Sequence, residues 1–152
     1  MGDKPVLGGQ MLIGSSMIAL TVVIHTVGLI ALIAYLRDRG LRAVGGGSYL
    51  VMMRVLVLTI LGIFLLHSVE IWCWAVLYIW LGELAELHKA LYFSTVTFTT
   101  LGYGDIVLDE RWQLLTSLEA TNGIILFGVS TAFVFAVLKK LFDAAGITGP
   151  ED

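Results

Sequence analysis

The sequence predicts an all-α membrane protein, and three observations carry that expectation. First, 58% of its 152 residues are hydrophobic and only 14% are charged, where soluble domains carry about a quarter charged residues. Second, residues 11–36, 55–81 and 112–138 form three apolar stretches. Each holds about 26 residues, or roughly 39 Å of helix, where about 20 residues suffice to span a bilayer. Third, residues 88–98, HKALYFSTVTF, are apolar but too short to cross, and they run directly into TTLGYGD at 99–105. That heptad has the composition of neither a helix nor a strand.

The first stretch is read as a retained helix rather than a secretory signal. Its apolar core is too long, its leading MGDKP balances one lysine with one aspartate, and no small-x-small cleavage site follows. Gly14, Ser15, Ser16 and Gly28 mark it for close helix contact. Between the first and second stretches, Arg37, Arg39, Arg42 and Arg54 face only Asp38, so this connection is expected on the cytoplasmic side. Lys139 and Lys140 close the third stretch on the same side. The amino terminus and the connection between stretches two and three then lie outside, with Tyr78, Trp80 and Trp112 expected in an outer aromatic belt. Glycines 45, 46 and 47 read as a flexible joint. The single cysteine, Cys73, has no partner in its own chain and reads as a buried small side chain.

Residues 88–98 read as a short re-entrant helix entering from outside. Non-helical backbone at membrane depth survives only where it is buried in protein or lines water, so residues 99–105 are expected to line an aqueous path. Gly102 and Gly104 permit positive φ, and alternating such residues with ordinary ones turns successive carbonyls to one side. A row of carbonyl oxygens replaces the hydration shell of a small cation, and the Thr100 hydroxyl adds a ligand beneath it. The short helix directs its partly negative carboxyl end at the same path.

Thr99-Thr100-Leu101-Gly102-Tyr103-Gly104-Asp105 resembles the potassium-channel signature TxGYGD. With an outer helix, a short helix and an inner helix around it, the chain resembles the pore module of the two-transmembrane prokaryotic potassium channels, preceded by one extra transmembrane helix. The resemblance implies a homotetramer, in which each chain has three identical partners. It also implies K⁺ held by the carbonyls of Thr100, Leu101, Gly102 and Tyr103 and by the Thr100 hydroxyl. Thr99, Gly104, Asp105 and Tyr92 would support the filter, with Tyr92 the expected partner of Asp105. Leu101 stands where valine is usual in the family. The organisation expected is an N-terminal helix and linker over 1–47, a pore domain over 48–142 and a short cytoplasmic tail over 143–152, in a multi-pass cell-membrane protein surrounded by lipid. One filter copy per chain, with four needed to close a ring, agrees with fourfold symmetry.

Outside the membrane, Glu83, Glu86, Asp105, Asp109 and Glu110 face Lys89 and Arg111, five minus two, or −3 per chain. That sign concentrates cations at the entrance, although Glu83 and Glu86 also fit an ordinary solvated loop. At membrane depth, His67 and Glu70 share a face of the second helix, Glu119 and Asn122 share a face of the third, and His25 lies in the first. The economical reading is a hydrogen-bonded network bracing the filter; a proton sensor and a zinc site are its rivals. Gly123 and Gly128 in the third helix fit the family's hinge, or packing notches. Phe133, Phe135 and Val137 are candidates for a dewetting gate below, with Ser130 and Thr131 lining a cavity above it.

Several classes of function find no support. No helix carries arginine at every third position, so no voltage sensor is expected, and the residues after Lys140 are too few for a cytoplasmic ligand domain. No catalytic triad, phosphate loop or nucleic-acid-binding surface is visible, so the reading is neither an enzyme nor dependent on an organic cofactor. The alternatives are a loosely selective cation channel, a non-conducting subunit with the same pore fold, and a membrane enzyme using His67, Glu70 and Glu119, the last with no substrate pocket visible in the sequence.

Overall fold

The computed structural model describes residues 7–39 and 49–146. Four helices account for most of them: α1 Leu7–Arg39, α2 Tyr49–Trp80, α3 Leu87–Phe98 and α4 Gln113–Ala144. Among the described residues there is no strand. Three helices are long and apolar enough to cross a membrane. The 12-residue α3 is not, because it is only about 18 Å long at 1.5 Å per residue.

The long helices outrun the apolar windows. Arg37 and Arg39 belong to α1, while residues 49–54, including Arg54, belong to α2, so half of the expected arginine-rich loop is helix; residues 40–48, Arg42 among them, lie outside the described residues. Arginine is a good helix former, so the helices continue past the ends of their apolar windows. The glycines at 45–47 and the tail from residue 147 lie outside the described residues. Asp143 and Ala144, assigned from the sequence to the tail, continue α4.

The C-terminus of α2 is closed by its own backbone. Gly82 takes φ +76°. Its N–H then bonds the Ile79 carbonyl at 3.0 Å, and the Glu83 N–H bonds the Tyr78 carbonyl at 3.1 Å. This pair of reversed bonds is the Schellman arrangement, which satisfies carbonyls that a helix end leaves open.

The described residues form two compact units, each drawing on α1, α2 and α4. The first comprises the described residues up to His25 together with His67–Phe127. Its core joins Trp74, Leu77 and Tyr78 of α2, Phe93 and Phe98 of α3, Leu108, and Leu115 and Leu126 of α4. A Cβ on Gly14 would overlap the Leu118 side chain, so α1 approaches α4 closely there. The second unit runs from Thr26 to Leu66 and onward from Gly128. Leu36 of α1, Met52 and Val55 of α2 and Leu141 of α4 form its core. Gly28 admits the Leu66 side chain and Gly62 admits Leu32, so small residues let α1 and α2 meet closely.

Candidate functional site

Residues 99–105 follow α3 without a break, and their backbone folds back on its last turn. The Thr99 N–H bonds the Thr95 carbonyl at 3.1 Å, Thr100 bonds Thr97 at 2.9 Å, and Leu101 and Gly102 both bond Val96, at 2.9 and 3.2 Å. Donors of the segment therefore satisfy the open carbonyls at the helix end. Among the described residues, no backbone N–H donates to the carbonyls of Thr100, Leu101, Gly102 or Tyr103. The donors point inward and the acceptors are left available.

Backbone handedness alternates through the same stretch. Thr100, Gly102 and Gly104 take φ of +60°, +55° and +75°, while no positive φ occurs at Leu101 or Tyr103. Glycine adopts this region freely, as expected at 102 and 104. Thr100 is expected as a ligand, but its positive φ is not foreseen from the sequence. A β-branched residue at positive φ costs about 1–3 kcal/mol and persists only where its surroundings over-determine it. No composition signal marks it; the only clue is its place two residues before Gly102, at the same spacing that separates the glycines.

Tyr92 Oη donates to Asp105 Oδ2 at 2.8 Å, tying the mouth of the segment to α3. That bond pushes the Tyr92 phenol above its ordinary range, because losing its proton would set an anion beside the carboxylate. Leu101 is 55% exposed and Tyr103 66% exposed. A cavity of about 240 Å³, lined in part by Tyr92, Val96, Gly102, Asp105 and Ser117, lies beside the segment.

In the connections flanking α3, Glu83 receives Arg111 at 2.9 Å and the Asp109 N–H at 3.1 Å. Its side chain is only 6% exposed. Glu83 is thus a tie between the connections on either side of α3. Glu86 pairs with Lys89 at 2.8 Å, and this contact lowers its carboxyl below the ordinary range.

The polar residues at membrane depth fall into separate groups. Glu70 presents Oε1 to His25 Nδ1 at 2.8 Å and Oε2 to His67 Nδ1 at 2.9 Å, joining α1 to α2. Glu119 accepts from Tyr78 Oη at 2.6 Å and lies 2.5 Å from Ser94 Oγ, joining α4 to α2 and α3. Ser94 Oγ also reaches the Ile71 carbonyl at 2.9 Å. Asn122 does not join Glu119; its Nδ2 donates to Thr21 Oγ1 of α1 at 2.7 Å. Helical spacing put Glu119 and Asn122 on one face but left the partners of that face undetermined.

Two other expectations are corrected. Tyr78 is fully buried and bonded to Glu119, not part of a lipid-facing belt, whereas Trp80 is exposed. An aromatic near a helix end looks the same in either setting until its neighbours are known. Cys73 is half-buried rather than buried.

The glycines of α4 differ sharply. A Cβ on Gly123 would overlap the Phe98 carbonyl oxygen, so Gly123 lets α4 reach the end of α3. Gly128 meets nothing within 4 Å. Phe133 and Val137 share a cavity lining with Ile33, Leu36 and Val55 on one side of α4. Phe135 is 69% exposed. Ser130 is buried and Thr131 exposed.

Two long helices packed with a short third one, followed by irregular backbone whose carbonyls receive no backbone donor, fit a membrane pore. The family model described as ion channel matches residues 55–140, more than half of the chain. The chain belongs to this two-transmembrane ion channel family, with α1 as an additional N-terminal membrane-capable helix. No curated protein and no solved structure matches it.

Proposed function

We propose that the chain is one subunit of a homotetrameric, potassium-selective channel, conducting K⁺ passively through carbonyls of Thr100, Leu101, Gly102 and Tyr103. The observation that carries this reading is the alternation of positive φ at Thr100, Gly102 and Gly104 in a segment whose carbonyls receive no backbone donor. Such a backbone turns its oxygens to one side, where they replace water around a dehydrated cation. One chain supplies one wall of that path, and a closed ring needs symmetric copies. The exposure of Leu101 and Tyr103 supports a neighbouring copy against the segment.

The remaining parts take supporting roles. Residues 48–142 form the pore domain, and Tyr92, Thr99, Gly104 and Asp105 hold the filter. Glu119 braces α3, while Gly123 is a packing notch and Gly128 the hinge. Phe135 is the better candidate for a constriction, because Phe133 and Val137 line a cavity shared with α1 and α2. The arginines and lysines at 37, 39, 42, 54, 139 and 140 favour an external amino terminus and a cytoplasmic carboxyl terminus.

Flux from liposomes tests the reading. Reconstituted protein should release K⁺ under a gradient, retain Na⁺ and be blocked by Ba²⁺. Equal passage of Na⁺ would select a loosely selective channel. Silence from well-folded tetramers would select a non-conducting subunit.

A further inference from the structure

The flux reading makes no use of the group in which Glu70 sits between two histidines. His25 on α1 and His67 and Glu70 on α2 are all buried, and each offers one ligating atom. Those atoms lie within 4.8 Å of one another. The two imidazoles face the same carboxylate through the same ring atom, Nδ1, at 2.8 and 2.9 Å. Their rings sit side by side, with centroids 5.2 Å apart and planes 30° from parallel.

Charge makes this arrangement incomplete. With both imidazoles neutral and the carboxylate ionised, the cluster carries −1 at membrane depth, a costly state unless a cation accompanies it. A divalent metal brings the sum to +1, or to zero when its open position holds hydroxide, and it uses both nitrogens as well, because neutral imidazole moves its proton to Nε2 when Nδ1 becomes a ligand. Two imidazoles and one carboxylate are a set that suits Zn²⁺ and its neighbours, with a further position open to water.

We infer that His25, His67 and Glu70 form an intramembrane site for a zinc-type divalent cation that clasps α1 to α2. Its metal would replace two shared protons with three coordinate bonds, and so fix α1 far more firmly than hydrogen bonds do. The site also borders the candidate filter. The His67 ring lies 5.9 Å from the ring of Phe98 and 4.6 Å from that of Phe127. Phe98 is the last residue of α3, directly before Thr99. Occupancy is therefore positioned to alter filter packing. The inference does not depend on K⁺ selectivity, since metal binding is measured without flux.

The test uses full-length protein, supplied with Zn²⁺ or Co²⁺ both in the growth medium and after purification, so that slow entry to a buried site does not mimic absence. After removal of loosely held metal by chelator, one equivalent per chain is expected to remain. Co²⁺ should give visible d–d bands of a low-coordinate site, and X-ray absorption should show two imidazoles. His25→Asn, His67→Asn and Glu70→Gln should each weaken binding by more than the roughly 10–100-fold that loss of an outer-shell partner costs. Metal should raise the thermal midpoint of the wild type and not of the variants. Retention unchanged in folded variants would place the metal elsewhere and overturn the inference. Failure of the wild-type protein to retain metal by either loading route would also overturn it.

Discussion

Glu119 offers the sharpest quantitative test of how the short helix is held. It is fully buried on α4 and touches α2 through Tyr78 and α3 through Ser94. Replacing it with alanine has unequal consequences for the two partners. Ser94 keeps the Ile71 carbonyl at 2.9 Å, so its hydroxyl stays satisfied. The Tyr78 hydroxyl loses the carboxylate it bonds at 2.6 Å. A buried donor left unsatisfied costs about 1–3 kcal/mol. Interhelical bonds in membranes average about 0.6 kcal/mol and reach about 1.7, because the unfolded chain finds other partners in lipid. A 2.6 Å bond between two fully buried side chains belongs near the upper limit.

A double-mutant cycle of Glu119→Ala with Tyr78→Phe isolates that bond, since the double variant removes both partners together. The expected coupling is about 1–1.7 kcal/mol, close to tenfold in the folded-to-unfolded ratio, read by reversible unfolding in mixed micelles. Glu119→Ala with Ser94→Ala should couple more weakly, because Ser94 has its second acceptor. Additivity of the Tyr78 cycle within about 0.3–0.5 kcal/mol would refute the role given to Glu119.

Four further outcomes are expected. Tyr92→Phe should hasten the decline of K⁺ current during sustained conduction, and an unchanged decline would refute support of the filter by the Asp105 bond. The Tyr92 phenol is raised by that bond, so its contribution is complete below the ordinary phenol value of about 10 and disappears as pH rises through the raised value; wild type and Tyr92→Phe should converge in strongly alkaline medium. Gly123→Ala should cost about 1–3 kcal/mol, because the added carbon meets the Phe98 carbonyl rather than a rotatable side chain, whereas Gly128→Ala should retain thermal stability. Arg111→Gln should lower stability by up to about 1 kcal/mol, with a loss that shrinks as salt is added, because its pair with Glu83 is partly solvated.

The helices were legible because membrane spans announce themselves by length and composition. Residues 88–98 differ from α3 by one residue at the start, since a short apolar run bounded by charge and by an irregular heptad has little freedom in its limits. The heptad itself was legible from two glycines at alternate positions. Partners across helices were not. His67 and Glu70 were readable as neighbours three residues apart, but nothing local indicates that the second nitrogen comes from His25, 45 residues earlier. Likewise Asn122 finds Thr21 at a separation of 101 residues. Such contacts depend on the rotation of each helix about its axis. In a span that is apolar on every side, no amphipathic stripe encodes that rotation. Tyr78 failed for the same reason: its depth was readable and its facing was not.

Those unreadable contacts converge on one residue. Phe98 receives the ring of His67 from α2 at 5.9 Å and the ring of Phe127 from α4 at 5.6 Å, the latter edge-on. Its carbonyl is met by Gly123 of α4, where no side chain would fit. The end of α3 is therefore held by two long helices at once, while Ser94 is held one turn earlier by Glu119. Thr100 follows two residues later at φ +60°. A β-branched residue stays in that region only when relaxing it would break something worth more than its strain. The alternating backbone that frees the carbonyls thus rests on the packing around Phe98. Loosening that packing at Gly123, with the filter's own residues untouched, should lower K⁺ discrimination before it abolishes folding.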